Sequence, residues 1–564
     1  MTHRFSILTA LRALLGAAAC LWLSGAMAAK SVEKKPEVKI APVAIEQPMV
    51  YELISHLVLD IHEDWAEDFD WKRLREFYLK RQFQPLWFED ETLTEKARLW
   101  RDTMLRAGEE GLDPAEYHSA AIRYLWRARR DVSKARLELL LTDAFIRYAI
   151  EARAGYQYPR LVDNEWYVTP PTVYPLKMLE EVFQAEDFQH ALDIIPPQHG
   201  GYQRLKQALI RYSQLLHEQG EWTLIPKGKY MKLGSWDYQI SLIRQRLKHE
   251  GYELDALPKD EYLFDRELEK AVKHFQKNTG EKPDGIVGPK TRYSMNLSIA
   301  ERIEQIVQNM ERWRWLPYDM GEKYLMVNMA GYRLYVVEKN DVVLEMPVII
   351  GKPYRATPAF SRKVEYLEFN PTWKVPPTIA KEDFLPKIRK DIGFLKTNHI
   401  KVYENWAADA PEVNPEEVDW DALQPNELNF KFEQVAGDRN SLGRVKFMFP
   451  NSFRVYLHDT PSRNLFAQNV RTFSSGCIRV SRPVTLASYL LGKKNGWTNP
   501  EVRRLIERGE TQRVNLKQEV PIYLLYWTAW VDEGNLVQFR PDIYRRNNKI
   551  TSIAGDVDVS DQSG

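Results

Sequence analysis

Cys477 and His458 are the residues of this sequence whose types and spacing best fit covalent chemistry. Both lie within residues 456–483, and Cys477 follows the small run Ser-Ser-Gly at 474–476. Small residues let a backbone turn sharply beside a substrate. A thiol is a weak nucleophile until it is deprotonated, and a nearby imidazole can take its proton and hold a thiolate/imidazolium pair. The spacing therefore predicts a nucleophilic cysteine served by a histidine base.

The backbone around the thiol is the predicted oxyanion hole. Its donors would be the N–H groups of Gly476 and Cys477, with Ser475 as a third, and each such donor contributes about 3–4 kcal/mol in other enzymes. His458 lies 19 residues before Cys477, so it must reach the thiol through the fold. These residues predict a Cys–His dyad, and no third catalytic group can be assigned from them.

Composition limits the classes of function that this chain can have. Of its 564 residues, 44% are hydrophobic and 28% charged, which is the balance of a soluble globular protein with about three or four domains. The formal net charge is +1 and no long Lys/Arg run occurs, which argues against a nucleic-acid partner. The histidines form no H-E-x-x-H or Cys/His spacing, so no metal site is predicted.

The first 28 residues have the pattern of a secretory signal peptide. Arg4 and Arg12 flank a short apolar run, and Ala26-Met27-Ala28 is an Ala-x-Ala cleavage signature. We expect cleavage and export to the periplasm. Two alternatives stay open: the segment is retained as a membrane anchor, since it is only slightly short for a span, or Cys20 is lipidated.

Export bears on Cys477, because cleavage would remove Cys20 and leave a single cysteine. Exported compartments oxidise thiols and normally use cysteines in pairs, so an unpaired cysteine needs another reason to exist. Three roles compete with that of a nucleophile: a buried small hydrophobe, a redox sensor and one half of an intermolecular disulfide. The small residues before Cys477 favour the nucleophile.

Hydrophobic periodicity divides the rest of the chain into segments. It predicts a linker over residues 29–49, a helical scaffold domain over residues 50–232 and a disordered tail over residues 551–564. After a bridging helix, the pattern changes to period-two strands, so residues 299–550 are predicted to form a β domain. Its predicted strands include 342–344 and 348–351, and the last two, at 520–531 and 536–539, are expected to complete its sheet. The fold class is therefore α+β and multidomain.

Residues 233–298 contain short helical patterns and the turn sequence Asp284-Gly285-Ile286-Val287-Gly288-Pro289. This segment resembles the small three-helix peptidoglycan-binding domain. It departs from the family at residues 260–265, where the usual Asp-Gly-x-Phe-Gly turn is replaced. The resemblance implies peptidoglycan glycan as a partner, with a purely structural role as the alternative.

A second resemblance covers most of the remaining chain. Its motifs are Pro347-Val348-Ile349-Ile350-Gly351, Thr357-Pro358, Phe369-Asn370-Pro371-x-Trp373, His458-Asp459-Thr460 and Ser474-Ser475-Gly476-Cys477-Ile478-Arg479-Val480. Together they resemble the L,D-transpeptidase catalytic domain. Upstream, Phe77-x-x-x-Arg81-x-x-x-Pro85-Leu86-Trp87 resembles the helical scaffold of the large Gram-negative members. The resemblance implies a mainly β catalytic domain behind a scaffold.

Residues 376–447 form an insertion that a compact sheet does not need. Residues 402–430 within it carry eight acids and no Lys or Arg, a composition usually found on a solvated face. The resemblance implies a mobile capping subdomain with Trp406 and Trp420 as substrate contacts, alongside Trp373. Such lids exclude water and favour transfer over hydrolysis.

The resemblance also implies a reaction on peptidoglycan stem peptides. Cys477 would attack the carbonyl of the third residue of a tetrapeptide, expel D-alanine with a proton from His458, and pass the acyl group to a neighbouring stem as a 3-3 cross-link. Arg479, with Arg471 as a weaker candidate, would meet a stem carboxylate or brace the loop. Carbapenems are expected to acylate the same thiol, cell-wall synthases are candidate partners, and no metal or organic cofactor is implied.

The sequence departs from the family pattern at two positions. Ser475 stands where a second histidine is frequent, and Asp459 stands where glycine often follows the catalytic histidine. Two alternatives to the cross-linking transferase therefore stay open: a hydrolase that uses the same acyl-enzyme as an L,D-carboxypeptidase, and a non-catalytic wall-binding scaffold. A papain-like protease is disfavoured, because those enzymes place the cysteine before the histidine.

Overall fold

The computed structural model describes residues 50–59, 68–127, 129–254, 259–532, 534–547 and 550. The predicted signal peptide, the predicted linker and the predicted C-terminal tail lie outside these residues. Within them, no helix is both long enough and apolar enough to cross a membrane.

The first part of the described chain is helical, as the periodicity predicts. It contains α1 (Val50–Leu59), α2 (Trp71–Lys80), a short hairpin of β1 (Phe88–Glu89) and β2 (Thr92–Leu93), α3 (Glu95–Leu105), α4 (Ser119–Leu125), α5 (Asp131–Ala154), α6 (Pro159–Val162), α7 (Pro175–Gln184), α8 (Phe188–Asp193) and α9 (Gly200–Gln219). Helices α1 to α5, α7 and α8 share one apolar core around α5. Glu138 is fully buried on α5, where its carboxyl group accepts hydrogen bonds from the Leu86 and Trp87 amides and the Tyr78 hydroxyl.

Three helices form a small separate core: α10 (Gln239–His249), α11 (Arg266–Asn278) and α12 (Pro289–Met295). The apolar positions of α11 that recur at helical spacing, among them Leu268, Val272 and Phe275, are its buried face. Gly285 has a φ of +74° in the turn before α12, and its N–H donates to the Gln276 side chain at 2.8 Å.

Helix α13 (Ile299–Arg314) bridges the helical part and the β domain. Ser298 and Glu301 form a reciprocal capping box at its start. Its apolar face shares one core with α9 and the β domain, so α9 packs with the β domain and not in the core around α5. The Asn309 side chain accepts the Thr528 N–H at 2.9 Å, which ties α13 to the last strands.

The β domain is built from β3 (Lys323–Asn328), β4 (Arg333–Glu338), β5 (Asp341–Gly351), β6 (Phe360–Phe369), β7 (Trp373–Lys374), β8 (Ile400–Tyr403), β9 (Lys431–Gln434), β10 (Val445–Met448), β11 (Leu457–His458), β12 (Thr472–Ser474), β13 (Ile478–Val480), β14 (Gln512–Leu525), β15 (Ala529–Val531) and β16 (Val537–Phe539). Nine of these strands make one sheet in the order β12-β5-β13-β11-β10-β6-β14-β3-β4, and β4 also pairs with β5. This second pairing closes the sheet on itself, so the core is enclosed like that of a barrel.

Two strand predictions differ from the structure in detail. The predicted strands at 342–344 and 348–351 are two parts of the single strand β5. The strand continues through Pro347, which pairs with Arg333 of β4. Of the last predicted strands, at 520–531 and 536–539, residues 520–525 lie in β14 of the main sheet as expected, but β15 and β16 pair only with each other among the described strands. Thr528 lies between β14 and β15, and its N–H donates to the Asn309 side chain of α13 and not to a neighbouring strand.

Most of the insertion at 376–447 folds on its own core, whereas residues 445–447 belong to β10 of the main sheet. Here α14 (Pro377–Ile379), a π-helical turn (Ala380–Phe384), α15 (Leu385–Lys390) and α16 (Gly393–Thr397) pack on the three-stranded sheet β7-β9-β8. We call this unit the cap. After the cysteine, α17 (Pro483–Leu491) and α18 (Asn499–Glu507) cover the main sheet.

Candidate active site

His458 and Cys477 project from the same face of the main sheet. On the parallel strands β11 and β13, Leu457 pairs with Ile478 and His458 pairs with Arg479. Leu457 and Ile478 are fully buried in the core. Because side chains alternate along a strand, the residues on either side of Leu457 and Ile478 point away from that core. The β register therefore places the imidazole and the thiol on one outer face.

A row of polar side chains crosses this outer face at the level of the histidine. Glu368 of β6 faces Lys446 of β10, which faces His458, which in turn faces Arg479. Lys446 Nζ and Glu368 Oε2 form a salt bridge of 3.0 Å. The row thus sets two cations, Lys446 and Arg479, on either side of the imidazole.

The His458 ring is oriented by a backbone carbonyl. Its Nδ1–H donates to the Asp459 carbonyl oxygen at 2.6 Å, which leaves Nε2 as the unprotonated nitrogen. Burial, followed by the positive charge of Arg479, lowers the pKa of His458 to about 3. The ring is therefore neutral at neutral pH. The Asp459 carbonyl supplies the orienting group that the sequence left unassigned.

The Asp459 side chain secures this carbonyl by bonding to its own surroundings. Its carboxylate accepts the Arg444 N–H at 2.9 Å and the Thr460 N–H at 2.7 Å, and it pairs with Arg463. A Cβ at Gly443 would lie 2.4 Å from the Asp459 carboxyl carbon, and Gly443 has a φ of +62°. Gly443 thus leaves room for the Asp459 side chain. Position 459 is the one at which the family that the sequence resembles often has glycine.

The Cys477 thiol is partly exposed and neutral at rest. Its Sγ–H donates weakly to the Arg454 carbonyl oxygen at 3.7 Å, and no hydrogen bond joins it to His458 among the described residues. Burial raises the pKa of the thiol, while hydrogen bonds from the backbone and hydroxyl of Tyr456 lower it in part. A preformed thiolate/imidazolium pair, as expected from the sequence, is therefore disfavoured. Proton transfer must accompany attack on a substrate.

Tyr456 is a site residue that the sequence reasoning missed. It lies beside Cys477, since its carbonyl oxygen accepts the Ile478 N–H at 3.1 Å, and its ring lies 5.7 Å from the His458 ring. Lys446 Nζ lies 4.5 Å from the centre of the same ring, and Trp373 hydrogen-bonds to the hydroxyl. Its position two residues before His458, on the same strand face, is the signal that could have revealed it.

The backbone before the thiol is held in one conformation. Gly476 has a φ of +114°, a region that favours glycine. The Thr357 hydroxyl donates to the Gly476 carbonyl oxygen at 2.8 Å and accepts the Gly351 N–H at 3.0 Å. Because the carbonyl and the next N–H of a trans peptide point in opposite directions, the Cys477 N–H points away from Thr357.

The predicted oxyanion donors differ in availability. The Gly476 N–H already donates to Ser474 Oγ at 3.2 Å, so it is engaged in the loop and is the weakest of the three candidates. The N–H groups of Ser475 and Cys477 have no hydrogen-bond acceptor in the part of the chain that the structure describes. These two amides are therefore the ones free to bind an oxyanion.

The two arginine candidates have different environments. Arg471 donates one hydrogen bond from each of its three nitrogens, to the backbone carbonyls of Val348, Gln468 and Tyr332, so it braces β12 against β5. Arg479 forms no hydrogen bond with the described residues, and its Nε is buried without a partner. Burial lowers its pKa, and the Cys477 thiolate would raise it. Arg479 alone keeps a guanidinium available on the site face.

The three tryptophan candidates also lie in different environments. Trp373 lies at the site, through its bond to Tyr456. Trp420 is only 6% exposed, and it packs on Phe430 and Phe432 in the cap core. Trp420 is a core residue of the cap, so its position gives no support to the predicted substrate contact. Trp406 is 44% exposed on the cap, and no described contact brings it to Cys477.

Two cavities of about 260 Å³ lie away from this face. One is bounded by residues 162–165, 353–356 and 544–546, and the other lies where the cap rejoins the sheet, at 398–399 and 435–440. Neither is lined by Cys477 or His458. No group of three or more His, Cys, Asp or Glu side chains able to hold a metal ion occurs among the described residues.

Comparison with known families matches three parts of the chain. Residues 322–511 match the L,D-transpeptidase catalytic domain, residues 72–209 match a family described as Scaffold domain, and residues 237–295 match the Putative peptidoglycan binding domain. The first match contains β3 to β13 and the cap, and therefore every residue of the site described above.

A curated relative is similar to part of the chain. It is a Putative L,D-transpeptidase of Haemophilus influenzae, 34% identical over 248 residues, which are 44% of this chain and 49% of that protein. The chain thus matches about half the length of this relative.

Solved structures overlap with the chain only at low similarity. An L,D-transpeptidase from Xylanimonas cellulosilytica is 16% identical with a TM-score of 0.17, covering 53% of this chain and 99% of that one. An L,D-transpeptidase from Mycobacterium smegmatis is 14% identical with a TM-score of 0.17, covering 36% of this chain and 58% of that one.

Proposed function

Because this chain carries an L,D-transpeptidase catalytic domain, we propose that it forms 3-3 cross-links between peptidoglycan stem peptides through a thioester on Cys477. The observation that carries the proposal is the β register, which puts a thiol and a neutral, backbone-oriented imidazole on one face of two paired strands. That pair of groups can perform acyl transfer without a metal or an organic cofactor.

In the first step, the donor is a tetrapeptide stem that ends in D-alanine. Cys477 Sγ attacks the carbonyl carbon of the third residue as its proton passes to His458 Nε2. The resulting oxyanion is received by the Cys477 and Ser475 N–H groups. The bond to the D-alanine nitrogen then breaks, His458 returns its proton to that nitrogen, and a thioester remains on Cys477.

In the second step, the side-chain amine of a diamino acid on a neighbouring stem attacks the thioester. His458 takes the proton of this amine, the bond between Sγ and the acyl carbon breaks, and His458 then reprotonates the thiol. The product is an amide between the third residues of two stems. Arg479, unpaired on the same face, is the proposed partner of a stem carboxylate.

Cap contacts at the site support transfer over hydrolysis. Trp373, which packs against Phe384 of the cap core at 5.8 Å, also hydrogen-bonds to Tyr456 beside the thiol. A cap anchored this close to the thioester limits the access of water, which otherwise competes with the acceptor amine. A hydrolase that uses the same acyl-enzyme is the alternative, and the two are distinguished by their products.

The proposed setting is the periplasm, on the sequence pattern of residues 1–28. The match of residues 237–295 to a peptidoglycan-binding domain supports the same polymer as the partner of both halves of the chain. Cell-wall synthases as partners, acylation of Cys477 by carbapenems, and membrane attachment through a retained signal segment belong to the proposal as separate expectations.

Product analysis tests the proposal. Purified protein is incubated with disaccharide tetrapeptides, and the products are separated and weighed. Cross-linked dimers that have lost one D-alanine are expected, and they should be absent with Cys477→Ala. Tripeptides without dimers would show that the protein is a hydrolase. Neither product, together with sacculus binding that survives Cys477→Ala, would favour a non-catalytic scaffold.

A further inference from the structure

Arg355 joins the cap to the backbone that carries the nucleophile. It lies in the loop between β5 and β6, outside every motif noted in the sequence. Its Nη1 donates to Asp383 Oδ2 at 2.6 Å and to Ser475 Oγ at 2.8 Å. Its Nη2 donates to Glu382 and, at 3.4 Å, to the second oxygen of Asp383. One guanidinium thus contacts two acids of the cap and the residue two before Cys477.

On the cap side, the contact reaches a rigid part of the insertion. Glu382 and Asp383 lie in the π-helical turn Ala380–Phe384, and such turns occur frequently at functional sites. The next residue, Phe384, is 5% exposed and packs on Trp373 and Phe394 in the cap core. A displacement of the cap would therefore move the two acids with it.

On the nucleophile side, the contact reaches the loop that sets the thiol. Ser475 precedes Gly476, whose carbonyl oxygen is held by Thr357 two residues after Arg355. The Lys352 N–H donates to the Ser474 carbonyl oxygen at 3.0 Å. Residues 474–476 are therefore bonded both by the Arg355 side chain and by other residues of the loop that carries it.

Burial distinguishes this ion pair from an ordinary surface salt bridge. Exposed pairs contribute little, because water screens them and the side chains must be ordered. The Arg355 side chain is only 11% exposed, and its Nε is buried without a partner. The hydrogen bonds to Asp383 and Glu382 raise its pKa above the ordinary value. Such a planar, multiply bonded arginine fixes directions as well as charge.

We propose that Arg355 is a positioning residue that makes cap closure and ordering of the nucleophile loop a single event. When the cap is closed, Asp383 and Glu382 hold the guanidinium where it can bond Ser475. When the cap opens, this bond is lost and residues 474–477 gain freedom. The proposal rests on the transpeptidase function proposed above for its catalytic consequence, but its structural part can be tested without turnover.

Two single variants cut the connection on opposite sides, Asp383→Asn at the cap and Ser475→Ala at the loop. Glu412→Gln is the matched control, because Glu412 pairs with Lys401 at 2.8 Å elsewhere on the cap. Arg355→Lys keeps the charge but not the planar donors, so it should behave like the two single variants. Deuterium uptake is followed over 377–390 and 472–478, together with the rate of Cys477 alkylation by iodoacetamide.

Each variant is expected to loosen both segments, the cap turn and the nucleophile loop, and not only the one that carries the substitution. Ser475→Ala should speed deuterium uptake over 377–390, and Asp383→Asn should speed alkylation of Cys477, each by about threefold to tenfold, with the double variant close to either single one. Glu412→Gln should change neither readout. In turnover, both cuts should raise the ratio of tripeptide to dimer without raising the donor KM in proportion.

The opposite pattern would overturn the proposal. If Asp383→Asn loosened only the cap, Ser475→Ala loosened only the loop, and their effects added, Arg355 would be two independent contacts. If the variants showed coupled deuterium exchange but the wild-type protein did not turn over the donor, the proposed function would be overturned and the coupling would stand. Unfolded variants are recognised by fast exchange across α5, which lies in a separate core.

Discussion

Cys477 lies two residues out of register with His458, because His458 pairs with Arg479 across the parallel strands β11 and β13 and Cys477 lies in the bend just before β13. Two residues of strand span about 6.6 Å, and the strands lie about 4.8 Å apart. The imidazole therefore does not rest on the thiol. We infer that the scissile bond occupies this gap, with its carbonyl carbon at Sγ and its leaving nitrogen toward Nε2.

Tyr456 should assist ionisation of the thiol. Its hydroxyl hydrogen-bonds to Cys477 and lowers a thiol pKa that burial raises. In Tyr456→Phe this bond is lost, so the pKa should rise further and acylation near pH 7 should slow by about tenfold, the effect of one pKa unit. The pH profile of iodoacetamide alkylation measures the shift directly. An unchanged profile with slower turnover would place Tyr456 in substrate binding instead.

Arg479 and Arg471 should give opposite results when each is changed to glutamine. Arg471 bonds three backbone carbonyls, so Arg471→Gln should lower the melting temperature by several degrees, as the loss of about 1–2 kcal/mol requires. Arg479 has no such partners, so Arg479→Gln should leave melting nearly unchanged and raise the donor KM. The two variants are compared by calorimetry and by initial rates. A stable Arg471→Gln protein with a raised KM would reverse the assignment.

Trp420 and Trp406 form a second matched pair, on the cap. Trp420 is buried among aromatic rings, so Trp420→Ala should destabilise the cap by about 3–5 kcal/mol and make it sensitive to limited proteolysis. Trp406 is exposed, so Trp406→Ala should leave stability within about 0.5 kcal/mol. Any change in donor KM from Trp406→Ala would then report a true substrate contact, which the sequence predicts and no described contact yet supports.

His458 should make the stability of the protein depend on pH below neutrality. Its pKa is about 3 in the folded protein and about 6.5 in an unfolded chain. Between these values the unfolded chain binds a proton that the folded protein does not, so stability is full above about pH 6.5 and is lost as the pH falls toward 3. The slope from this one group is at most about 1.4 kcal/mol per pH unit.

Denaturation of wild type and His458→Gln between pH 7 and pH 4 isolates this contribution. The variant should lose the part of the slope that belongs to the histidine, so the two stability curves should converge as the pH falls. Cys477→Ala, inactive but with His458 in place, should keep the wild-type slope. Parallel curves for wild type and His458→Gln would mean that the ring titrates normally in the folded protein.

The sequence predicted the dyad and the β domain because local patterns carry both. Strand alternation, the small residues before Cys477 and the motif around His458 are readable from neighbouring letters. The closure of the sheet is not, because β4 and β5 form a local hairpin, whereas the ring is completed by pairings between strands far apart in the chain, such as β5 with β13 and β6 with β14. The orienting carbonyl of Asp459 was equally hidden, since a backbone group leaves no trace in residue type.

Residues that act through distant partners were the ones that the sequence could not reveal. Arg355 bonds Ser475 across 120 positions and Asp383 across 28, and its neighbours in the chain give no sign of either contact. Trp420 was predicted as a substrate contact on the capping subdomain, yet the fold turns its ring into the cap core and its Nε1–H toward the Pro415 carbonyl at 2.7 Å. Burial of this kind depends on tertiary packing and not on composition.

The central claim is that Cys477 carries the acyl group, and mass spectrometry of the digested protein tests it most directly. Wild-type protein is mixed with a disaccharide tetrapeptide in the absence of acceptor, quenched in acid and digested. The account predicts an adduct equal to the donor minus D-alanine on the peptide that contains Cys477, removed by hydroxylamine and absent in Cys477→Ser. Dimers or tripeptides formed at the wild-type rate by Cys477→Ala, or an adduct on another residue, would contradict it.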